Sequence, residues 1–409
     1  MPKTFSDENV YEAANKRLDI VFAHFERVYV SFSGGKDSSV LLQLAIEKAR
    51  EHGRLPLDVL FIDLEGQYQH TIDHVAEMMS LPEVRGQWVC LPLHLRNAVS
   101  QTNPHWLCWD EAKKDLWVRA MPTHPSVISD GAHFPFFRKG MEFEEFTTHY
   151  ARWFAGGGDE YTACLIGIRA DESLNRYRTI KSSRKSRFRG YGWSTLVTKH
   201  VYNCYPIYDW QVRDIWIAVG KYGLRHNVLY DLMYLAGVPL RAMRICQPYG
   251  DDQRKGLYLF KILEPETWAR VVARVEGANF GNRYAGTHAL GNRKVLLPPG
   301  HTHRSYAKFL LSTMPPPIAR HYRKKIFKFL NWWRKQARTS GYPSIPDTAD
   351  LKLESQKKAP SWRRICKVLL RNDYHCHGLS FSQTRHQYEK QLEAALLYKE
   401  PLTPIGAPE

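Results

Sequence analysis

Ser-Gly-Gly-Lys-Asp-Ser fills residues 33–38, and each position can hold a phosphate or make room for one. Gly34 and Gly35 carry no Cβ, so their backbone N–H groups can close on an anion and a positive φ is allowed. Lys36 brings a full charge, and Ser33 and Ser38 bring hydroxyl donors. An apolar run, Val28–Phe32, leads in, and a helix-like stretch over 38–50 leads out. The turn therefore sits at a helix N-terminus, where unpaired N–H groups and a partial positive charge favour anions. The spacing is not G-x-x-x-x-G-K-[ST], the other common phosphate loop.

Two more stretches end apolar runs with groups suited to the same chemistry. Leu57–Ile62 stops at Asp63-Leu64-Glu65. Carboxylates there could meet a nucleotide or its Mg²⁺, a hard cation that needs few protein oxygens. Tyr161–Ile168 stops at Arg169, whose fork of donors can reach over the strand end to phosphate. Glu172 and Arg176 follow, four apart and on one face of a helix. Residues 181–189 then carry five basic residues and no acid, among them Arg184 and Lys185. Such a run serves as a solvated loop or closes on a phosphorylated substrate or nucleic acid. Asp209 is placed to cap a helix bearing Val212, Ile215 and Trp216.

These segments need a scaffold. Helix-period residues over 7–26, strand 27–32, a helix over 38–50 that is apolar almost all round, strand 57–62, helix 68–79 and a strand near Trp88–Leu91 alternate. The alternation predicts an α/β fold with a doubly wound, mostly parallel sheet, ligands lying beyond the carboxyl ends of its strands. Residues 94–160, rich in aromatics and prolines, interrupt it and read as an insertion: a lid over the site or a packed satellite core. A nucleotide-binding domain over 1–245 and a mainly helical, basic region over 246–409 are expected, with helices at 265–276, 318–338, 361–372 and 382–399. The 318–338 helix carries eight Lys/Arg and no acid, with Ile318, Tyr322, Ile326, Phe329 and Trp333 on one stripe. Its other face is a solvated surface or binds a nucleic-acid backbone.

With 409 residues and a formal charge of +17, the chain favours polyanionic partners: nucleotides, nucleic acid or an acidic partner protein. Seven scattered cysteines form no C-x-x-C pair, so neither zinc nor an iron–sulfur cluster is expected. Without a secretory h-region or a bilayer-spanning apolar run, a cytoplasmic protein with no membrane contact is expected.

Taken in order, these motifs resemble the phosphoadenosine phosphosulfate (PAPS) reductase family within the PP-loop adenine-nucleotide α-hydrolases. Ser33–Ser38 resembles the PP-loop, and Gly167-Ile168-Arg169-Ala170-Asp171-Glu172-Ser173 with Arg176 resembles G-x-R-x-x-E-S-x-x-R. Tyr205-Pro206-Ile207, Asp209-Trp210 and Asp214-Ile215-Trp216 resemble the P-I-x-D-W…D-[VI]-W element. The resemblance implies attack on the α-phosphate of ATP, or a related adenine nucleotide, with release of pyrophosphate. It implies nucleotide contacts from Ser31, Ser33, Gly34, Gly35, Lys36, Asp37, Ser38, Asp63 and Arg169. It implies catalytic roles for Lys36, Asp37 and Arg169; Asp37 and Asp63 are expected to hold Mg²⁺, and Glu172 and Arg176, with Arg184 and Lys185 of the basic run, to meet the second substrate. The remainder resembles the C-terminal domain of bacterial relatives of immunoglobulin-binding regulator A. The reductases' Glu-Cys-Gly-x-His motif is missing; Tyr374-His375-Cys376-His377 is the nearest text. A reductase using Cys376, its thiol made acidic by two histidines, and a non-catalytic regulator remain the alternatives.

Overall fold

The computed structural model describes residues 7–100, 103–181, 186–245, 250, 256–279, 295, 297–336 and 342–381. Helix α1 (Val10–His24) precedes β1 (Arg27–Phe32), α2 (Lys36–Glu51), β2 (Leu57–Ile62), α3 (Gln69–Met79) and β3 (Val84–Val89). A small antiparallel pair follows, β4 (His94–Arg96) with β5 (His105–Leu107), then β6 (Val127–Ile128), α4 (Phe143–Ala155) and β7 (Thr162–Ile166). Helix α5 (Leu174–Lys181), strands β8 (Ser194–Thr198) and β9 (Val201–Cys204), and helices α6 (Val212–Tyr222) and α7 (Leu229–Leu235) complete this part.

The main sheet runs β6-β3-β2-β1-β7-β9-β8, parallel throughout except for the β8–β9 pair. Strand β2 is buried along its whole length, as a strand covered on both faces must be. Helix α2 buries Val40, Leu41, Leu42, Leu44, Ala45 and Ala49, which accounts for its apolar circumference. The chain leaves β1 toward β2 and β3, then returns to place β7 on the other side of β1. The strand order thus reverses at β1–β7, where an open parallel sheet leaves a crevice for ligands.

The insertion is not a detached flap. Trp106, Trp109, Trp117, Phe134 and Phe146 are buried in the same core as the sheet. Helices α8 (Leu257–Leu263) and α9 (Pro265–Arg274) also join that core, so it extends past the expected boundary at 245. Phe260 stacks on Tyr68 at 3.6 Å, and the Glu264 carboxylate accepts from the N–H groups of Gln69 and His70 at 2.8 and 3.0 Å. It thereby caps α3, which has no capping side chain of its own. A second core lies around helix Pro316–Lys335: the stripe Ile318, Tyr322, Ile326, Phe329 and Trp333 packs with Ile365, Val368 and Leu369 of helix Trp362–Leu370. The helix expected over 382–399 lies outside the described residues.

Two local expectations change, and one hairpin is new. Helix α2 begins at Lys36, not Ser38. Asp209 does not cap α6: Gln211 and Asp214 form a capping box there. Asp209 instead takes both arms of Arg17 at 2.8 and 2.6 Å, because it lies two residues too early to reach the helix N–H groups. Strands β8 and β9 join through Lys199-His200, with His200 at φ 59°, and no Asn-Gly or Asp-Gly signal marks that hairpin in the sequence.

Candidate functional site

Strand β1 ends at Phe32, and the loop 33–35 turns directly into α2. Gly34 has φ +71°, and a Cβ there would lie 2.7 Å from Thr71 Cγ2, so this corner needs glycine on both counts. Its carbonyl accepts from Asn227 Nδ2 at 3.0 Å, and Asn227 also donates to Thr71 Oγ1 at 3.1 Å. Ser33 and Ser38 hydroxyls lie 2.9 Å apart and brace the turn. Ser39 donates to the Gly35 carbonyl at 2.9 Å and pairs with His74 Nε2 at 2.8 Å. Burial lowers the His74 pKa to about 4, so the ring behind the loop is neutral at pH 7.

On the other side of the switch point, β7 delivers Gly167 and Arg169. A Cβ on Gly167 would come within 2.9 Å of Ser38 N and Cα. That closeness brings Arg169 against the first turn of α2, where its Nε donates to Asp37 Oδ1 at 2.6 Å. Lys36 Nζ meets Asp37 Oδ2 at 3.2 Å and the Met243 carbonyl at 3.3 Å. Lys36 and Arg169 are 4% and 3% exposed, so two buried cations share one carboxylate beside a helix N-terminus. A site of that balance attracts an anion.

The loop borders a cavity of about 400 Å³. Ser31, Ser33, Gly35, Lys36, Asp37 and Ser38 line its phosphate-like end. Leu60, Phe143, Ala151 and Ile166 give it an apolar wall, and Glu172, Arg176 and Arg244 stand with them. Glu172 pairs with Arg176 at 2.8 Å, and its carbonyl accepts from Arg244 Nη2. Arg184 and Lys185 lie outside the described residues.

The sequence offered no signal for several of these groups. The Tyr230 hydroxyl, from α7, accepts the Lys36 N–H at 3.1 Å, and Lys36 Nζ lies 5.2 Å from its ring centre. Tyr230, Asn227 and Arg244 sit about two hundred positions along the chain from the loop and belong to no motif; only the fold returns them.

Asp63 and Glu65 stand elsewhere. Asp63 is fully buried, accepting from Trp88 Nε1 at 2.9 Å, from the Glu65 N–H at 2.9 Å and from Arg119 Nη2. Glu65 takes Arg274 of α9 on both oxygens at 2.8 and 3.0 Å, and the N–H groups of Trp109 and Val118. Neither carboxylate borders the loop's cavity. Asp37 and Asp63 therefore do not fit the expected Mg²⁺ pair: both carboxylates are engaged by protein cations, and they face different surroundings. Among the described residues no group of three or more His, Cys, Asp or Glu could hold a metal ion.

Cys376 is a correction as well. It is fully buried in the second core, where burial pushes its thiol well above the ordinary range. Burial lowers the pKa of the adjacent His375 to about 3, so that ring brings no positive charge to favour a thiolate. Cys376 does not border the loop's cavity. No helix among the described residues is long and apolar enough to cross a membrane.

Comparison with known proteins bears on the same segments. Residues 27–113 and 136–238 match the phosphoadenosine phosphosulfate reductase domain. Residues 237–349 and 342–390 match a domain of unknown function (DUF3440). The chain is 44% identical over 384 residues to the uncharacterized protein YbdN of Escherichia coli (strain K12), covering 92% of this chain and 91% of that protein. It is 43% identical over 65 residues to sulfate adenylyltransferase subunit 2 of Mycobacterium tuberculosis, 16% of this chain and 21% of that one. A crystal structure of PAPS reductase from Candida auris, a phosphate complex, is 13% identical, with a TM-score of 0.31 over 57% of this chain and 94% of that one.

Proposed function

The chain belongs to the family of YbdN and carries a PAPS reductase domain, and from that premise we propose that it binds ATP, or a related adenine nucleotide, and cleaves it at the α-phosphate. A nucleophile on the acceptor attacks the α-phosphorus, the bond to the bridging oxygen breaks, and pyrophosphate leaves with the electron pair. The observation that carries this reading is the meeting of Lys36, Asp37 and the α2 N-terminus at one end of a cavity whose other wall is apolar, with Arg169 held against Asp37 behind them. Charge developing on the leaving pyrophosphate would be met by donors already in place. Asp37 holds both cations in position between them. Tyr230, on the Lys36 N–H, gives way to a phosphate oxygen. Mg²⁺ would arrive on the phosphates, since the carboxylates expected to hold it are engaged elsewhere.

Lys36→Ala is expected to weaken ATP binding at least a hundredfold by isothermal titration while the folded state persists. Unchanged affinity in a folded variant would overturn the reading. Pyrophosphate release assayed across acceptors separates turnover from mere binding.

The reading includes a polyanionic partner on helix Pro316–Lys335. Phe327 and Trp332 stand exposed there, 63% and 56%, among Arg320, Arg323, Lys324, Lys328 and Lys335. Exposed rings between cations suit bases that stack and phosphates that pair. Trp332→Ala should weaken binding of a single-stranded oligonucleotide and leave its salt dependence intact. An unaltered affinity would instead favour a regulatory role with a partner protein.

A further inference from the structure

A second cavity, larger than the one beside the loop, lies elsewhere in the molecule. It measures about 670 Å³ and lies beyond the carboxyl ends of β3 and β6. Cys90 and Pro92 line it from the β3 end, Trp109, Trp117 and Arg119 from the insertion, and Arg270 from α9. Its walls thus join the two segments that lie outside the alternating β–α units.

Arg119 is the unusual group. Its side chain is 10% exposed, and one nitrogen, Nη2, reaches Asp63. Nε and Nη1 are buried and have no hydrogen-bond partner among the described residues. A guanidinium has five N–H donors, so the three on Nε and Nη1 lack an acceptor, on a side chain that also lines the cavity. Leaving such donors unmet inside a protein is costly, most of all on a charged group. The side chain is nevertheless held firmly. Its Cζ lies 5.0 Å from the Trp109 ring centre, Trp109 Nε1 donates to the Asp63 carbonyl at 2.9 Å, and Trp117 packs edge-on against Trp109 at 5.0 Å. A fixed, partly unpartnered arginine on an indole, at the wall of a cavity that a second indole also lines, is a pre-organised receptor for a flat molecule bearing an oxyanion. On the rim, Lys114 and Lys139 are already paired with Glu111 and Asp110 at 3.0 and 3.3 Å, so the buried Arg119 and the exposed Arg270 supply the charge for a ligand.

We propose that this cavity is a second ligand site, separate from the nucleotide cavity, which binds a small aromatic or planar molecule through a carboxylate, sulfate or phosphate group held by Arg119. The proposal concerns binding and stands whether or not the nucleotide is cleaved.

Isothermal titration of the full chain with sodium benzoate, and separately with sodium sulfate, tests it. Benzoate should bind one to one and more tightly than sulfate, because only benzoate lays a ring against the indoles that line the cavity. Arg119→Lys keeps a cation for Asp63 but loses the fork, and should weaken benzoate roughly tenfold or more. The exposed Arg270→Ala, which leaves the core intact, should weaken it several-fold. Lys36→Ala should leave benzoate binding as it was, and that result separates failure here from failure of the nucleotide reading. Absence of saturable benzoate binding, or its loss in Lys36→Ala and not in Arg119→Lys, would overturn the proposal. A crystal soaked in benzoate gives an answer independent of folding in the variants: the carboxylate should lie against Arg119, and ordered water alone there would reject the site.

Discussion

Asp37 and Asp63 both follow strand ends on the same edge of the same sheet, yet they serve opposite ends. Asp37 lies at the entrance of α2, 13% exposed, with one buried cation on each oxygen and an open cavity alongside. Asp63 is 0% exposed, and its oxygens are occupied by Trp88, Arg119 and the Glu65 N–H. The first arrangement leaves positive charge over for a ligand; the second closes on itself and, with Glu65 and Arg274, fastens the insertion and α9 to the sheet. Position at a strand end brings a residue to where chemistry happens. Whether it takes part depends on how many of its hydrogen-bonding positions the protein has already filled.

The comparison can be broken most sharply at Glu65. Glu65→Gln removes the charge facing Arg274, which is 2% exposed in its side chain, and leaves a buried guanidinium unmatched. A loss of about 3–5 kcal/mol in unfolding free energy is expected in urea melts. A loss near zero would mean that this network does not anchor α9.

Asp63→Asn and Asp37→Asn form the next test. Asp63→Asn should cost about 3 kcal/mol of stability through the unpaired Arg119, with ATP affinity moved far less. Asp37→Asn should do the reverse, altering nucleotide binding with a smaller change in melting. If Asp63→Asn instead abolished ATP binding in a fully stable protein, Asp63 would belong with the nucleotide after all.

Gly167→Ala probes the contact that joins the two halves of the site. The new methyl would press on the Ser38 backbone at 2.9 Å, which cannot yield as a side-chain tip would. A loss of about 1–3 kcal/mol is expected, with weaker ATP binding because Arg169 is displaced from Asp37.

A last effect, absent near neutral pH, is expected on acidification. Burial lowers the pKa of His74, behind the loop, to about 4 and that of His105, in the insertion, to about 4. Each has a folded pKa below the ordinary 6.5, so the unfolded chain binds more protons between those values. Stability should be full above about pH 6.5 and decline as the pH falls toward 4. His74→Gln should flatten part of that slope in melts across the range, and an unchanged slope would remove His74 from the account.

Much of the scaffold was legible because it rests on local rules. Strand 57–62 follows from the sequence to the residue, and the apolar surface of 38–50 predicts a helix buried against the sheet. Helix 318–338 was read from its stripe, and that stripe is what the second core buries. The site was legible only in part. Ser33–Ser38 and Arg169 announce themselves by spacing, whereas Tyr230, Asn227 and Arg244 carry no local signature. The fate of Asp63, Glu65 and Cys376 was hidden for a related reason: the sequence shows what a side chain can do, not whether its neighbours will take up its oxygens or exclude the water that ionises its sulfur.

The sequence by itself determined a strand, a glycine corner and a helix that together present N–H donors and Lys36 to an anion, because short-range sterics and hydrogen bonding specify that turn. Tertiary structure alone decided which charges remain available there. Arg169 reaches Asp37 only because Gly167 lets β7 lie against α2, and Asp63 is withdrawn only because the insertion folds Arg119 over it. The availability of a charge depends on burial and on partners brought from far along the chain, and those are properties of the packed molecule.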